Sequence, residues 1–191
     1  MSRREPLRDQ IVAAAVDVTA DGGWSAVTMA RLAEQVGVSR QTVYNEVGTK
    51  PELAEAMVMR ELARFLGGVE EAFDAAPDDL VAAVRGAASN VLTLARTNRL
   101  LQAIVSAQHG GGDELLPLLT TRSDGLVDTA KLVIARRLES YEVPLDERHL
   151  AAGIDMVVRL VLSHVMHPTG TPAETADDIA WIAGRTLAHP V

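Results

Sequence analysis

A chain of 191 residues with 48% hydrophobic but only 3% aromatic residues can form one domain or two small ones, around an aliphatic core. It has no cysteine, which excludes disulfides and thiolate metal sites and fits a reducing compartment. The net charge of −8 argues against an extended nucleic-acid surface, yet six basic and six acidic residues balance over positions 1–50, so the whole excess follows Lys50.

Helical periodicity runs through nearly the whole chain, and no segment alternates as a strand does. Leu7, Ile11, Ala14, Ala15 and Val18 share one helical face, and DGGW ends that helix. Thr28 caps a second helix, over about 28–35, that buries Met29, Leu32 and Ala33; Arg31 stands where a capping box would place an acid. Gly37 permits a sharp turn, and Ser39 caps a short third helix that runs to about Glu46. Thr49 caps a fourth, with Pro51 and Glu52 in its first turn. This fourth helix and five more are expected near 49–75, 78–96, 98–108, 113–140 (whole or broken near Pro117), 146–167 and 173–188, punctuated by Pro77, Pro117, Pro144, Pro168 and Pro172. The head and this series together make nine helices.

Two short helices joined by a glycine turn form a helix-turn-helix, whose second helix enters a DNA major groove. Val38 and Val43 face inward in that arrangement. Ser39, Arg40, Gln41, Thr42, Tyr44, Asn45 and Lys50 then form a polar outer set that a packed core has no use for. Arginine grips guanine and glutamine grips adenine through paired hydrogen bonds, while threonine, tyrosine and lysine are natural phosphate ligands. An amphipathic helix with a merely solvated polar face would show the same pattern.

The stretch TMARLAEQVGVSRQTVYNEVGTKPELAEAM resembles the DNA-binding segment of TetR-family transcriptional repressors, and the match covers roughly residues 8–60. The Thr28 cap, the LAEQVGVS turn, Tyr44 and Lys50 carry it. The resemblance implies phosphate contacts by Thr28, Thr42, Tyr44 and Lys50, with Arg40 and Gln41 nearest the bases. One departure is Glu46–Val47, where the family commonly has an aromatic residue or histidine followed by phenylalanine. Glu46 would repel phosphate, so it is expected to point away from DNA or to pair with a basic side chain.

The resemblance also implies an all-α, nine-helix fold, with a DNA-binding head over 1–48 and a ligand-binding and dimerisation domain over 49–191. In such proteins the last two helices pair with their copies, and the homodimer binds a palindromic operator in double-stranded DNA. HLAAGIDMVVRLVLSHVM is apolar on nearly every face, and Ile179, Ile182, Ala183 and Leu187 form a stripe in the last helix. Leu62, Phe65, Leu92, Ile104, Leu115, Leu118, Leu126 and Met156 are the expected walls of an effector pocket. Arg159 would either receive a carboxylate head group there or pair with Asp155 one turn earlier. A pocket so poor in aromatic rings suits a small apolar effector such as a fatty acid or acyl lipid. A subset of similar repressors regulates alkane or fatty-acid metabolism, which points the same way. Activation in place of repression, or regulation without a ligand, remains open on the same fold.

Enzymatic readings find little support. HGGG at 109–112, near Ser106, resembles a lipase oxyanion loop, but no G-x-S-x-G elbow accompanies it. His149, His164 and His167 with Asp155 lack a metal-site signature, and no phosphate-loop or dinucleotide fingerprint occurs, so no metal and no cofactor are expected. The opening MSRREPLRDQIVAAA is broken by Glu5, Asp9 and Asp17, so it does not read as a secretion signal. LAAGIDMVVRLVLSHVM carries Asp155, Arg159 and His164 and is expected to be too short and too charged to span a bilayer. A cytoplasmic protein with no membrane partner is the expectation.

Overall fold

The computed structural model describes residues 6–107 and 123–187. Among these residues are nine α-helices, one 3-10 turn (Trp24–Ala26) and no strand. The helices are α1 (Leu7–Gly22), α2 (Met29–Val36), α3 (Arg40–Val47), α4 (Lys50–Ala75) and α5 (Leu80–Thr97). They continue with α6 (Arg99–Ala107), α7 (Ser123–Leu138), α8 (Glu147–Met166) and α9 (Pro172–Leu187). The all-α expectation holds. The helix expected over 113–140 is present as α7, and its first ten positions lie outside the described residues, as do His109–Gly112.

Two compact units are present. The first holds the described residues up to Leu62 together with Asn98 and α6. Its core joins Ile11, Ala15 and Val18 of α1 to Leu32 of α2, Val43 and Val47 of α3, and Leu53 and Met57 of α4. Each large aliphatic side chain buried here contributes roughly 1.5–3 kcal/mol. Compactness therefore does not divide the chain at residue 48. Leu100 of α6 is buried in this core, Asn98 donates from Nδ2 to the Glu61 carboxylate, and Arg99 pairs with Asp21 and, at 3.6 Å, with Asp17.

The second unit runs from Ala63 to Thr97 and from Asp124 onward. Ala83, Val84, Ala87, Ala88 and Leu92 of α5 pack with Ala176, Ile179, Ala183 and Leu187 of α9, and Ile154 and Val158 of α8 join them. The core is aliphatic, as the composition requires. Its aromatic element is Phe73 edge-on to Tyr141 at 5.8 Å, where the Tyr141 hydroxyl donates to the Ala76 carbonyl at 2.7 Å and so ties off the end of α4.

Two sequence expectations change here. By length and composition alone α8 is long and apolar enough to cross a membrane, with 20 residues and an 18-residue stretch of mean hydropathy 1.4. The apolar stretch is therefore not too short, and what sets it apart from a lipid-facing span is its chemistry. Asp155 pairs with Arg159 on the same helix and with Lys131 of α7, while Ile154 and Val158 are buried in the core. In α9 the stripe splits. Ile179, Ala183 and Leu187 face the core, whereas Ile182 stands outside it beside Trp181, which is 64% exposed.

Candidate nucleic-acid interface

The head presents its polar residues through two caps and a turn. The Thr28 hydroxyl accepts from the Arg31 amide at 3.2 Å and starts α2. Gly37 ends it in the left-handed region, at φ 77° and ψ 37°, with the Gly37 and Val38 amides both donating to the Ala33 carbonyl. Ser39 then starts α3 by accepting from the Thr42 amide at 3.0 Å. Gly48, at φ 72°, turns the chain into α4, where the Glu52 carboxylate accepts from the Thr49 amide and hydroxyl, each at 2.7 Å. Those two bonds hold the Glu52 carboxyl below the usual carboxylate range. A Cβ at Gly48 would collide with that carboxylate.

Val43 and Val47 are buried and fix the inner side of α3. At 100° per residue, Asn45 lies about 180° and Gln41 about 140° from that side, so these two amides form the outermost face. They are joined by a hydrogen bond from Gln41 Nε2 to Asn45 Oδ1 of 3.0 Å. Arg40 and Tyr44 form one flank: the guanidinium lies 5.6 Å from the ring centroid and donates from Nη2 to the phenol oxygen at 3.4 Å. Ser39 and Thr42 bond to each other at 2.8 Å and serve the cap. Glu46 is exposed on the opposite flank, about 160° around the helix from Tyr44.

Beside the Arg40–Tyr44 flank is a cleft of about 270 Å³ lined by Ser25, Val27, Thr28, Met29, Arg40, Tyr44 and Lys50. Lys50 is held there from below: Nζ donates to the Trp24 carbonyl at 3.0 Å and sits 4.7 Å from the Trp24 ring centroid. An ammonium has three donors, and this bond uses one. The cleft therefore gathers two cations, three hydroxyls and the N-terminal end of α2, with no acid among its lining residues. That chemistry fits an anionic oxygen. Trp24 and Ser25 were missed by the sequence reading, which took DGGW only as a helix stop. The available signal was a tryptophan directly after two glycines in an aromatic-poor chain.

The residues expected to line an effector pocket are less unified. Leu92 is buried, and Leu62, Phe65 and Leu126 are half-buried. The Ile104 side chain, Leu115 and Leu118 lie outside the described residues. Met156 departs from the expectation: it is 69% exposed, because Ile154 and Val158 take the inward side of α8 and Met156 falls about 200° from each. Arg159 Nε donates to Asp155 Oδ2 at 2.7 Å, the internal pairing the sequence offered as one alternative. Asp155, held by Arg159 first and Lys131 second, stays below the usual carboxylate range. His149 and His164 bond to Asp146 and Thr169 respectively, and among the described residues no group of three metal-ligating side chains assembles.

Comparison with known proteins agrees with this geometry. Residues 11–57 match the model of bacterial regulatory proteins of the tetR family, and residues 79–185 match the C-terminal domain of the bacterial tetracycline repressor. The chain is 27% identical over 177 residues to the HTH-type transcriptional regulator AlkX of Mycobacterium tuberculosis, covering 93% of this chain and 83% of that protein. Among solved structures it resembles the TetR family repressor AlkX of Dietzia, implicated in biodegradation of n-alkanes, with a TM-score of 0.73, 22% identity, and 93% and 98% of the two chains covered. The fatty acid degradation regulator FadR of Bacillus halodurans matches with a TM-score of 0.60 and 17% identity over 92% and 96% of the two chains. The C-terminal match alone spans more than half of the sequence, and the chain belongs to the TetR family of DNA-binding transcriptional regulators, not to an enzyme family.

Proposed function

We propose that this regulator is a homodimeric repressor that binds a palindromic operator in double-stranded DNA and leaves it when a small apolar ligand enters its C-terminal domain. The observation that carries the DNA half is the acid-free cleft of Thr28, Arg40, Tyr44 and Lys50 beside the exposed amide face of α3. In this reading a phosphate seats in the cleft and fixes the register, while α3 meets base edges in the major groove. Residues 1–48 do this work with Lys50, and residues 49–191 serve ligand binding and assembly. A DNA-binding role supports a cytoplasmic location.

Assembly is supported by apolar surface on the last two helices. Met156 and Leu162 of α8 and Trp181 and Ile182 of α9 are all exposed in the single chain. A second copy of the same surface would cover them about a two-fold axis. The dimer must set two α3 helices about 34–36 Å apart, so a modest change in head separation spoils the fit.

An acyl chain as effector is supported by the aliphatic interior and by the relatives. The Dietzia AlkX repressor is implicated in biodegradation of n-alkanes, and FadR of Bacillus halodurans is a fatty acid degradation regulator. Selection from a random duplex library tests the DNA reading directly. The expected result is an inverted repeat, bound by two chains per duplex, and recovery of no preferred duplex would refute it.

A further inference from the structure

We propose that Gln41 and Asn45 act as one reading unit for a single adenine, and that Arg40 is a phosphate ligand and not a base reader. The inference rests on the operator-binding function above and names the side chains that give it sequence preference.

Both amides are exposed, both lie on the face of α3 opposite Val43 and Val47, and they are bonded to each other at 3.0 Å. The bond from Gln41 Nε2 to Asn45 Oδ1 leaves the Gln41 carbonyl as an acceptor and the Asn45 amino group as a donor. Exchanging O and N in both side chains reverses the bond but still leaves one donor and one acceptor outward. The display does not depend on how the amides are oriented. Adenine offers N7 as an acceptor and N6 as a donor in the major groove, so its edge complements the pair, whereas guanine offers two acceptors, N7 and O6. The mutual bond also holds both side chains in one geometry before DNA arrives, which lowers the ordering cost of contact.

Arg40, the usual partner of guanine, is committed elsewhere. Its guanidinium is drawn onto Tyr44 and lines the cleft shared with Thr28 and Lys50. The long side chain is thereby directed to the backbone flank and away from the amide face.

The test uses the full-length protein and the duplex it selects from a random library, with preference profiles for the wild type and for Gln41→Ala, Asn45→Ala and Arg40→Ala. Gln41→Ala and Asn45→Ala should relax the same A·T position about 5- to 100-fold, with the double variant no worse than either single one. Placing 7-deazaadenine at that position should cost the wild type affinity and leave the double variant insensitive. Arg40→Ala should lower affinity for all duplexes and flatten the salt dependence, with the preferred sequence retained. Relaxation of two different positions, an unchanged profile for Asn45→Ala, or lost preference at a guanine for Arg40→Ala would overturn the inference while leaving operator binding intact. Failure to select any duplex would overturn both.

Discussion

Replacing Lys50 by methionine removes one charge and little else. The methionine stem can still lie against the Trp24 ring, which the ammonium now faces at 4.7 Å, and the Trp24 carbonyl is freed. In the proposed reading Lys50 neutralises one phosphate in each head, with Arg40 the other cation lining the same cleft. Each phosphate neutralised contributes a slope of about −0.9 to the dependence of log affinity on log salt. A dimer that uses both heads should therefore lose about 1.8 units of slope. Between 50 and 200 mM salt the advantage of the wild type over the variant should shrink roughly twelvefold, and the preferred sequence should not change. Fluorescence anisotropy across that salt range, on the selected duplex and on an unrelated one, measures both quantities. A decrement near 0.9 would mean that one head engages. A folded variant with the wild-type slope would refute the phosphate role of the cleft.

Three further outcomes are expected. Trp181→Glu or Ile182→Glu should give monomers by light scattering and abolish operator binding together, since burying unpaired carboxylates twice per interface costs several kcal/mol; a charged variant that still dimerises would move the interface off α9. Glu52 has a lowered carboxyl pKa from its bonds to Thr49, so its contribution to stability is complete above the ordinary glutamate range and is lost as pH falls through the lowered value. The melting-temperature advantage of the wild type over Glu52→Gln should accordingly vanish in acid, and an advantage that grew as pH fell would contradict the assignment. Saturated acyl chains should release the selected duplex with potency that climbs with length, by up to about 0.8 kcal/mol per methylene, and then levels off; release by a planar aromatic cation and by no acyl chain would refute a lipid effector.

The parts of this fold that sequence made legible are those decided within a few residues. Thr28, Gly37 and Ser39 announce the two caps and the turn of the head because each uses its own backbone or side chain to bond a residue at most four positions away. Choices made across the chain were hidden. Nothing in the local pattern around Leu100 says that it joins the core of the head or that the neighbouring Arg99 pairs with Asp17 and Asp21 of α1, because those partners lie about eighty residues away. On α8, apolar residues occupy nearly every direction, so periodicity does not tell Ile154, which is buried, from Met156, which is not. The stripe of α9 was read as one surface although Ile182 is about 100° from Ala183, far enough to separate an outer face from an inner one. In the candidate site, sequence named the polar residues of α3 but not which of them bond to one another. Arg40 belongs with the cleft because Tyr44 lies one turn away and offers it both a ring and an oxygen.

Charge follows the same logic and reconciles a net −8 with DNA binding. Asp17 and Asp21 of α1 are engaged with Arg99, and Glu52 bonds to Thr49 at the start of α4. Elsewhere Asp177 is matched by Arg85, Asp74 and Glu70 by Arg137, and Asp155 by Arg159 and Lys131. At physiological salt, exposed charges more than about 8 Å apart are largely screened from one another. A phosphate at the cleft would therefore respond chiefly to charges close to it, among them Arg40, Lys50 and the first turn of α2, and little to the total charge of the chain. The acidic remainder acts chiefly at low salt, where it should slow approach to DNA in any orientation that does not lead with the head.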